Sequence, residues 1–484
     1  MACATRSPNS PRWWMMTMSN PRRVHPLAII PYTISFLRNA LLPFLFGSIS
    51  LIREHPLITV FGAFGLLVLT AVFGFLFWYN FSYTIEAGEL RVKKGIFNKQ
   101  RRFIPLERIQ SIDIKAGIIL QLVGLVQLQI ETASEGKVPE ISLAGITREE
   151  AEDLKKVLSD AKAARQPHAE TVAGQAAAPE QIQYRLTMKQ LIFMSLTSSS
   201  IGLIAPFLSA VIEPLTSYSE HLVKWLGLFQ NSNPNLIEIG ILVVLTAILS
   251  VLGSIIVTML AYARFTLTRQ GDVLKISRGL LEKRELTLPL DRLQGIRIVE
   301  GLLRQPFGYV TLHVESGGGY GKKQGQTTVL YPLLKRKDVK QFLQEMAPGF
   351  EAGAKLNRLP QRAQRRYGGR PLLIACAAAA VIALLFYPFG LFALLLLPLS
   401  LACGLLQYRD AGWSSSPSCL TIRRRKFART TVVIPWRKVQ SYHRQQSLLQ
   451  KRARLATASV RIISGGEGKE YKIIDVEADQ VLGS

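Results

Sequence analysis

The stretch IPLERIQSID (Ile104–Asp113) returns as LPLDRLQGIR (Leu288–Arg297) and again as IPWRKVQSYH (Ile434–His443). A short match can arise by chance, so the flanks decide. Gly95 precedes Pro105 by the same distance as Gly279 precedes Pro289. Seven positions after Gln110, Gln294 and Gln440 stand Gly117, Gly301 and Ser447, which open GIILQLVG, GLLRQPFG and SLLQKRAR. Gly124 and Gly308 close the first two of these at one shared offset. A strand-like run comes next in each copy (LVQLQIETA, YVTLHVESG, LATASVRIISG), then a polar Gly-Lys pair: Gly136-Lys137, Gly321-Lys322 and Gly468-Lys469. Agreement at so many fixed offsets identifies three copies of one domain. The interval from Pro105 to Pro289 exceeds that from Pro289 to Pro435, whereas a solenoid keeps one period. These are therefore separate domains with variable material between them.

That material reads as membrane. Pro56–Phe81, Leu191–Ile212, Ile239–Ala263 and Pro371–Tyr408 contain no charged residue. A hydrocarbon core of about 30 Å needs about 20 helical residues, so the first three read as single spans. The last has Pro388-Phe389-Gly390 at its middle, a helix-breaking combination, and reads as two. Leu27–Ile52 is interrupted by Arg38, and an arginine at a helix centre costs about 2.5–3.5 kcal/mol on insertion. The expectation there is an interfacial segment Leu27–Leu37 followed by a short span. The chain then has six spans in three hairpin pairs, each preceding one domain. In order these are a basic segment 1–26, hairpin 27–81, domain 82–160, flexible linker 161–186, hairpin 187–263, domain 264–348, basic linker 349–370, hairpin 371–408 and domain 409–484, the last of them truncated.

Charge orients this arrangement. The chain holds 59 Lys+Arg against 33 Asp+Glu, a net +26. Little of it lies in the connections within pairs: Arg53 in REH, and Lys224 alone between Glu213 and Asn235. Cytoplasmic segments near spans carry the Lys/Arg excess, so the domains and both termini are expected in the cytoplasm of a cell membrane. The same bias explains the basic composition. No aromatic-rich strand or recognition-helix pattern accompanies it, so nucleic acid is not an expected partner. Cys3, Cys376, Cys403 and Cys419 have no CxxC spacing, and suggest neither a disulfide framework nor a zinc site.

Each domain reads as mostly strands. YTIEAGELRVKKG alternates apolar and polar residues about Gly88, FTLTRQGDVLKISRG repeats this about Gly271, and SCLTIRRRKFARTTVVIPW carries a basic turn instead. A helix closes copy one, TREEAEDLKKVL, with Thr147 and Glu150 placed as a capping box. Copy two closes with LKRKDVKQFLQEM, and copy three leaves little room for a helix. Strands, a PLERIQS-type motif, a GIIL…G turn, more strands and a terminal helix resemble the bacterial pleckstrin-homology-like domain of the membrane-attached class. Three such domains behind hairpins, after an N-terminal RRVHPLAII…LRN, resemble the multi-pass YdbT-like proteins of bacteria. The resemblance covers about residues 22–484. It implies that each domain is a β sandwich or partial barrel with a C-terminal helix, on a multi-pass α-helical membrane protein, and implies no settled activity. Copy three departs most, with Arg425 where Gly95 and Gly279 align and Trp436 where the others have leucine.

Catalytic motifs are absent from the sequence. GGGYGKKQGQTT (Gly317–Thr328) lacks phosphate-loop spacing and sits where a hairpin is expected. His25, His55, His168, His221, His313 and His443 share no ligand spacing. No enzyme activity, cofactor or metal is expected. Pro105, Pro289 and Pro435 read as shaping a strand end, with Gln110, Gln294 and Gln440 satisfying nearby backbone. The alternative gives Arg108, Arg292 and Lys438 a direct binding role. Ile118-Ile119-Leu120, Leu302-Leu303 and Leu448-Leu449 read as core; the alternative is a loop dipping into the adjacent leaflet. Arg101 and Arg102, Lys283 and Arg284, and Arg423, Arg424 and Arg425 form basic runs at equivalent positions. They are the candidates for contact with anionic phospholipid or a partner, each basic residue near such a surface gaining about 1 kcal/mol. The competing reading is a solvated face. Copy three is expected to be the main electrostatic contact, with Trp436 in the core or at the headgroup level. The function expected is a non-enzymatic scaffold on the bilayer, binding another membrane protein with a PH-like domain, itself, or anionic lipid. The alternative is a component of a transport or export complex, which requires ionisable groups inside spans.

Overall fold

The computed structural model describes residues 18–86, 88–106, 109–132, 141–163, 182–197, 236–316, 328–351, 353, 355–387, 389–464 and 467–478. The chain forms two compact units. The first holds the chain to Glu180 together with Leu281–Leu288, and the second holds most of the chain from Gln181 onward.

In the first unit, β1 (Met18–Arg22) leads into a helical hairpin, α1 (Ile29–Glu54) and α2 (Pro56–Tyr79). Copy one comes next: β2 (Ser82–Glu86), β3 (Glu89–Lys94), β4 (Gln100–Pro105), β5 (Ile109–Ala116), α3 (Ile118–Leu122), β6 (Leu125–Thr132), β7 (Ile141–Thr147) and α4 (Arg148–Ala163). The sheet β1-β2-β3-β4 faces β5-β6-β7. Alternation along β2 and β3 turns Tyr83, Ile85, Leu90 and Val92 inward onto Leu128, Ile130, Leu143 and Ile146. Each such buried side chain contributes about 1.5–3 kcal/mol. Helix α4 closes the sandwich with Ala151 and Leu154. Its capping box is half formed. The Glu150 N–H donates to Thr147 Oγ1 at 3.3 Å, while the Glu150 carboxylate accepts from the Tyr83 hydroxyl.

The second unit contains β8 (Ile182–Arg185), α5 (Met188–Leu196), α6 (Leu236–Tyr262), β9 (Thr266–Gln270), β10 (Val273–Arg278), β11 (Lys283–Pro289), β12 (Leu293–Glu300), β13 (Tyr309–Ser316), β14 (Thr328–Lys335) and α7 (Val339–Met346). All of β11 but Pro289 counts with the first unit. Copy three adds β15 (Asn357–Arg358), α8 (Gln361–Leu385), α9 (Leu396–Asp410), β16 (Gly412–Ser415), β17 (Cys419–Arg425), β18 (Arg429–Pro435), β19 (Val439–Gln445), α10 (Leu448–Arg452), β20 (Leu455–Ser464) and β21 (Glu467–Glu477). Strands β15–β18 and β19–β21 enclose Trp413, Leu420, Ile422, Val432, Ile434, Val460, Ile462, Tyr471 and Ile473.

Several boundaries differ from expectation. A short strand before each hairpin pairs with the first strand after it: β1 with β2, β8 with β9, β15 with β16. Each hairpin is thus inserted between two strands of its own domain. Residues expected as a basic segment and as linkers supply these strands. Helix α1 runs unbroken through Arg38, and on through Pro43, so the expected division after Leu37 is not found. Helix α8 begins at Gln361, so half of the expected basic linker 349–370 is helical. Most of the expected span Leu191–Ile212, the linker centre and two of the three Gly-Lys hairpins lie outside the described residues. Among the described residues, Leu57–Tyr79, Gln361–Leu385 and Gly390–Asp410 are long and apolar enough to cross a membrane.

The turn that closes GIILQLVG needs a left-handed backbone. Gly124 and Gly308 have φ of 70° and 66°, values glycine adopts without steric cost. Copy three keeps the conformation with Arg454 at φ 53°, at a cost of about 1–2 kcal/mol for an L-residue.

Candidate functional site: strand seams and hairpin joints

The domains meet through their strand edges. In the first unit β11 pairs antiparallel with β5, placing Lys283 opposite Ala116, Arg284 opposite Lys115 and Glu285 opposite Ile114. In the second unit β18 pairs with β12, placing Arg429 opposite Glu300, Thr430 opposite Val299 and Thr431 opposite Ile298. The two registers are identical in repeat coordinates. In each, the residue six before the motif proline faces the residue six after the preceding copy's motif glutamine. A one-residue slip would turn every side chain to the other face, so the shared register marks a specified contact.

A glutamine pins each seam. Gln121 Nε2 donates to Ala116 O and to Leu281 O, both at 2.7 Å. Its equivalent Gln305 donates to Glu300 O at 3.0 Å and accepts from Arg425 Nη2 at 2.7 Å. Each caps the last carbonyl of the receiving strand and reaches the incoming copy. In copy three Lys451 takes this position. Charges reinforce both seams. Arg148 lies 3.2 Å from Glu285 in the first. In the second, Glu300 pairs with Arg429, and Asp410 with Arg425 and Arg429. Glu315, with a fully buried side chain, accepts from Lys469 Nζ at 2.6 Å, Tyr471 Oη at 2.8 Å and Ser464 Oγ at 2.9 Å. Burial alone would raise the Glu315 pKa, but these bonds to the ionised form prevail and hold it below the ordinary carboxylate value.

The outer edges have no such cover. Among the described residues, β4 pairs only with β3 and β19 only with β20. They are the counterparts of β11 and β18, and of β5 and β12. Every residue of β12 is buried or half-buried, whereas His443, Arg444 and Gln445 of β19 are exposed.

The basic run of copy three does not share one face. Successive side chains of a strand point to opposite faces, so the run in β17 is divided. Arg423 donates to Thr431, Arg424 lies over the Tyr471 ring, and Arg425 pairs with Asp410. Lys438 donates to Asp291 O. Lys283 and Arg284 pair with Glu285 and Glu282. Arg292 is half-buried in a 3-10 turn, and Arg101 and Arg102 are exposed on β4. Arg108, and the side chain of Gln110, lie outside the described residues. Gln294 is buried and donates to Arg292 O at 3.4 Å, while Gln440 is exposed. Pro105, Pro289 and Pro435 each end a strand, and Gly117 and Ser447 cap the short helices α3 and α10. Gly301 opens the equivalent turn. Trp436 packs on the copy-three core and donates to Ser416 O.

The apolar turn residues expected in the core are mostly exposed. Leu120 is buried, but Ile118, Leu302, Leu303, Leu448 and Leu449 are not, nor are Phe97, Leu281 and Phe427 in the β3–β4 turn and its equivalents. Both groups of turns flank hairpin helices. Phe97 lies 6.3 Å from Phe73, Leu280 N–H donates to Leu260 O, and Arg366 donates to Leu449 O. They form an exposed apolar collar beside the hairpin helices.

The hairpin joints also repeat. In copy one Tyr32 Oη donates to Ala144 O and Trp78 Nε1 to Val24 O. In copy three Tyr367 Oη donates to Ile474 O and Tyr408 Oη to Leu359 O. The next residue forms a bulge: Gly145 at φ 89°, where a Cβ would stand 2.2 Å from Ala28 Cβ, and Asp475 at φ 60°, which pairs with Arg366 and Arg370.

Inserted hairpins and strand-edged sandwiches define a membrane-anchored PH-like protein. The sequence agrees, matching the Bacterial PH domain over residues 39–162, 222–349 and 372–482, and the chain belongs to that family. It is also 33% identical to the UPF0699 transmembrane protein YdbT of Bacillus subtilis (strain 168), over 95% of this chain and 96% of the relative. No solved structure matches.

Proposed function

We propose that the chain is a non-enzymatic platform in the cell membrane whose PH-like domains bind a partner protein by strand addition. The repeated, register-matched seam carries this reading. One edge contact is used twice within the chain, and its two halves remain open on β4 and β19 among the described residues. An exposed edge is a template for another strand. Charge alone does not select the partner: the second seam sets Glu300 against Arg429, while the first sets Arg284 opposite Lys115, so the open backbone edge carries the match. The partner is a membrane protein with a PH-like domain that offers a free strand edge. Six spans, with domains and termini in the cytoplasm, fit the charge distribution and the apolar collars.

The test places a photo-crosslinking residue at His443 and, separately, at Arg102 in native membranes. A discrete adduct is expected at one or both sites. An adduct at His443 should vanish with Arg444→Pro, which removes an edge donor. Absence of adducts at both edges would overturn the reading.

A further inference from the structure

The third residue after the glycine or serine that opens each short turn points inward in every copy: Leu120, Arg304 and Gln450, all buried. In copy one it is an apolar core residue. In copy three Gln450 donates to Asp475, whose buried carboxylate is compensated by Arg366 and Arg370. Copy two differs. Arg304 is 8% exposed, and among the described residues its guanidinium contacts only neutral acceptors: Thr197 Oγ1 at 3.1 Å, Pro332 O at 3.0 Å, Met194 O at 3.2 Å, and Thr311 Oγ1. Four bonds leave one of its five N–H donors for another group.

The surrounding joint has lost its seal. Met194 stands where copies one and three have Tyr32 and Tyr367, and a thioether cannot donate to the carbonyl. Arg304 serves Pro332 O instead, the counterpart of Ala144 O and Ile474 O. Beside it lies a cavity of about 230 Å³, lined by Arg304, Thr197, Thr258, Tyr262, His313 and Ala428. An uncompensated buried charge is costly, and burial already pushes the Arg304 pKa down. The cavity lies among α5, α6 and the domain, next to the exposed Leu302, Leu303 and Phe307 of the collar.

We propose that this cavity binds a phosphate-bearing anion against Arg304, clamping the second domain to its hairpin. The ligand is supplied either as the headgroup of an anionic phospholipid in the adjacent leaflet or as free phosphate. This site is independent of the strand edges.

The experiment monitors thermal unfolding of the full chain in uncharged detergent at matched ionic strength. The additives are sodium chloride, inorganic phosphate, short-chain phosphatidylglycerol or short-chain phosphatidylcholine. A saturable rise in Tm is expected with phosphate or phosphatidylglycerol, and the responding arm names the source. Arg304→Gln should weaken that binding at least tenfold. Thr258→Leu, which fills the cavity from α6 and leaves the Arg304 bonds in place, should do the same and serves if the first variant does not fold. No saturable response to either anion, an equal response to phosphatidylcholine, or unchanged affinity in the folded variants would overturn the proposal.

Discussion

Strands β12 and β19 are the same strand of the repeat in two settings. In β12, capped by β18, the run LQGIRIVE is buried apart from half-buried Arg297 and Val299. In β19 the run VQSYHRQ has no second neighbour among the described residues and exposes its C-terminal half. The sequences match the settings. Ile296, Ile298 and Glu300 correspond to Tyr442, Arg444 and Gln446, and the seam glutamine Gln305 to Lys451. A covered strand selects apolar residues and one acid for the incoming arginine. An open one selects polar and basic residues, as edges generally do. The difference separates a covered joint from an uncovered edge.

The comparison can be broken most forcefully at the buried acid behind the covered seam. Glu315→Ala leaves Lys469 and Tyr471 without their partner, and removing one member of a buried pair costs about 3–5 kcal/mol. The lower end is expected, because Lys469 is partly exposed. Chemical unfolding of the full chain in detergent would read it. The same group gives a pH dependence. The Glu315 pKa is lower in the fold than in the unfolded chain, where it is about 4.3. Its contribution is therefore complete above that value and is lost as pH falls through and below it. Glu315→Gln should flatten the acid limb of the stability profile.

Next in size is the copy-one joint. Gly145→Val introduces a β-branched residue at φ 89° and drives its Cβ into Ala28. A loss of about 2–3 kcal/mol is expected, with faster proteolysis between domain and hairpin. The smallest effect has the opposite sign. Arg454→Gly gives copy three the residue that copies one and two use and should stabilise it by about 1 kcal/mol, read as a small rise in Tm.

Sequence made the repeat and its membrane partners legible because both are local patterns: fixed glycine and proline offsets, and uncharged runs. What it hid depends on contacts distant in the chain. Strands β1, β8 and β15 are short and basic, and their partners lie beyond a hairpin, so Met18–Arg22 and Asn357–Arg358 read as tails and linkers. Ile118, Leu302 and Leu448 read as core because apolar residues usually turn inward, whereas here they stand exposed beside the hairpin helices. Arg423, Arg424 and Arg425 read as one patch because sequence adjacency ignores the alternation of a strand. Arg304 gave no signal of its own, although aligning GIIL, GLLR and SLLQ column by column exposes the odd charge. Gln121 and Gln305 were visible in the same columns, but their role emerges only once the seam exists.

The central claim is that one strand contact, in one register, joins successive copies. Cysteine pairs test it directly in a background with Cys3, Cys376, Cys403 and Cys419 replaced. Opposed residues of antiparallel strands have Cα atoms about 4.5–5.5 Å apart, within reach of a disulfide. Lys115→Cys with Arg284→Cys, and Val299→Cys with Thr430→Cys, occupy equivalent places in the two seams. Mild oxidation in membranes should close both pairs, while the shifted controls Lys115→Cys with Glu285→Cys and Val299→Cys with Thr431→Cys stay open. Closure of the shifted pairs in place of the matched ones, or of one seam without the other, would contradict the account.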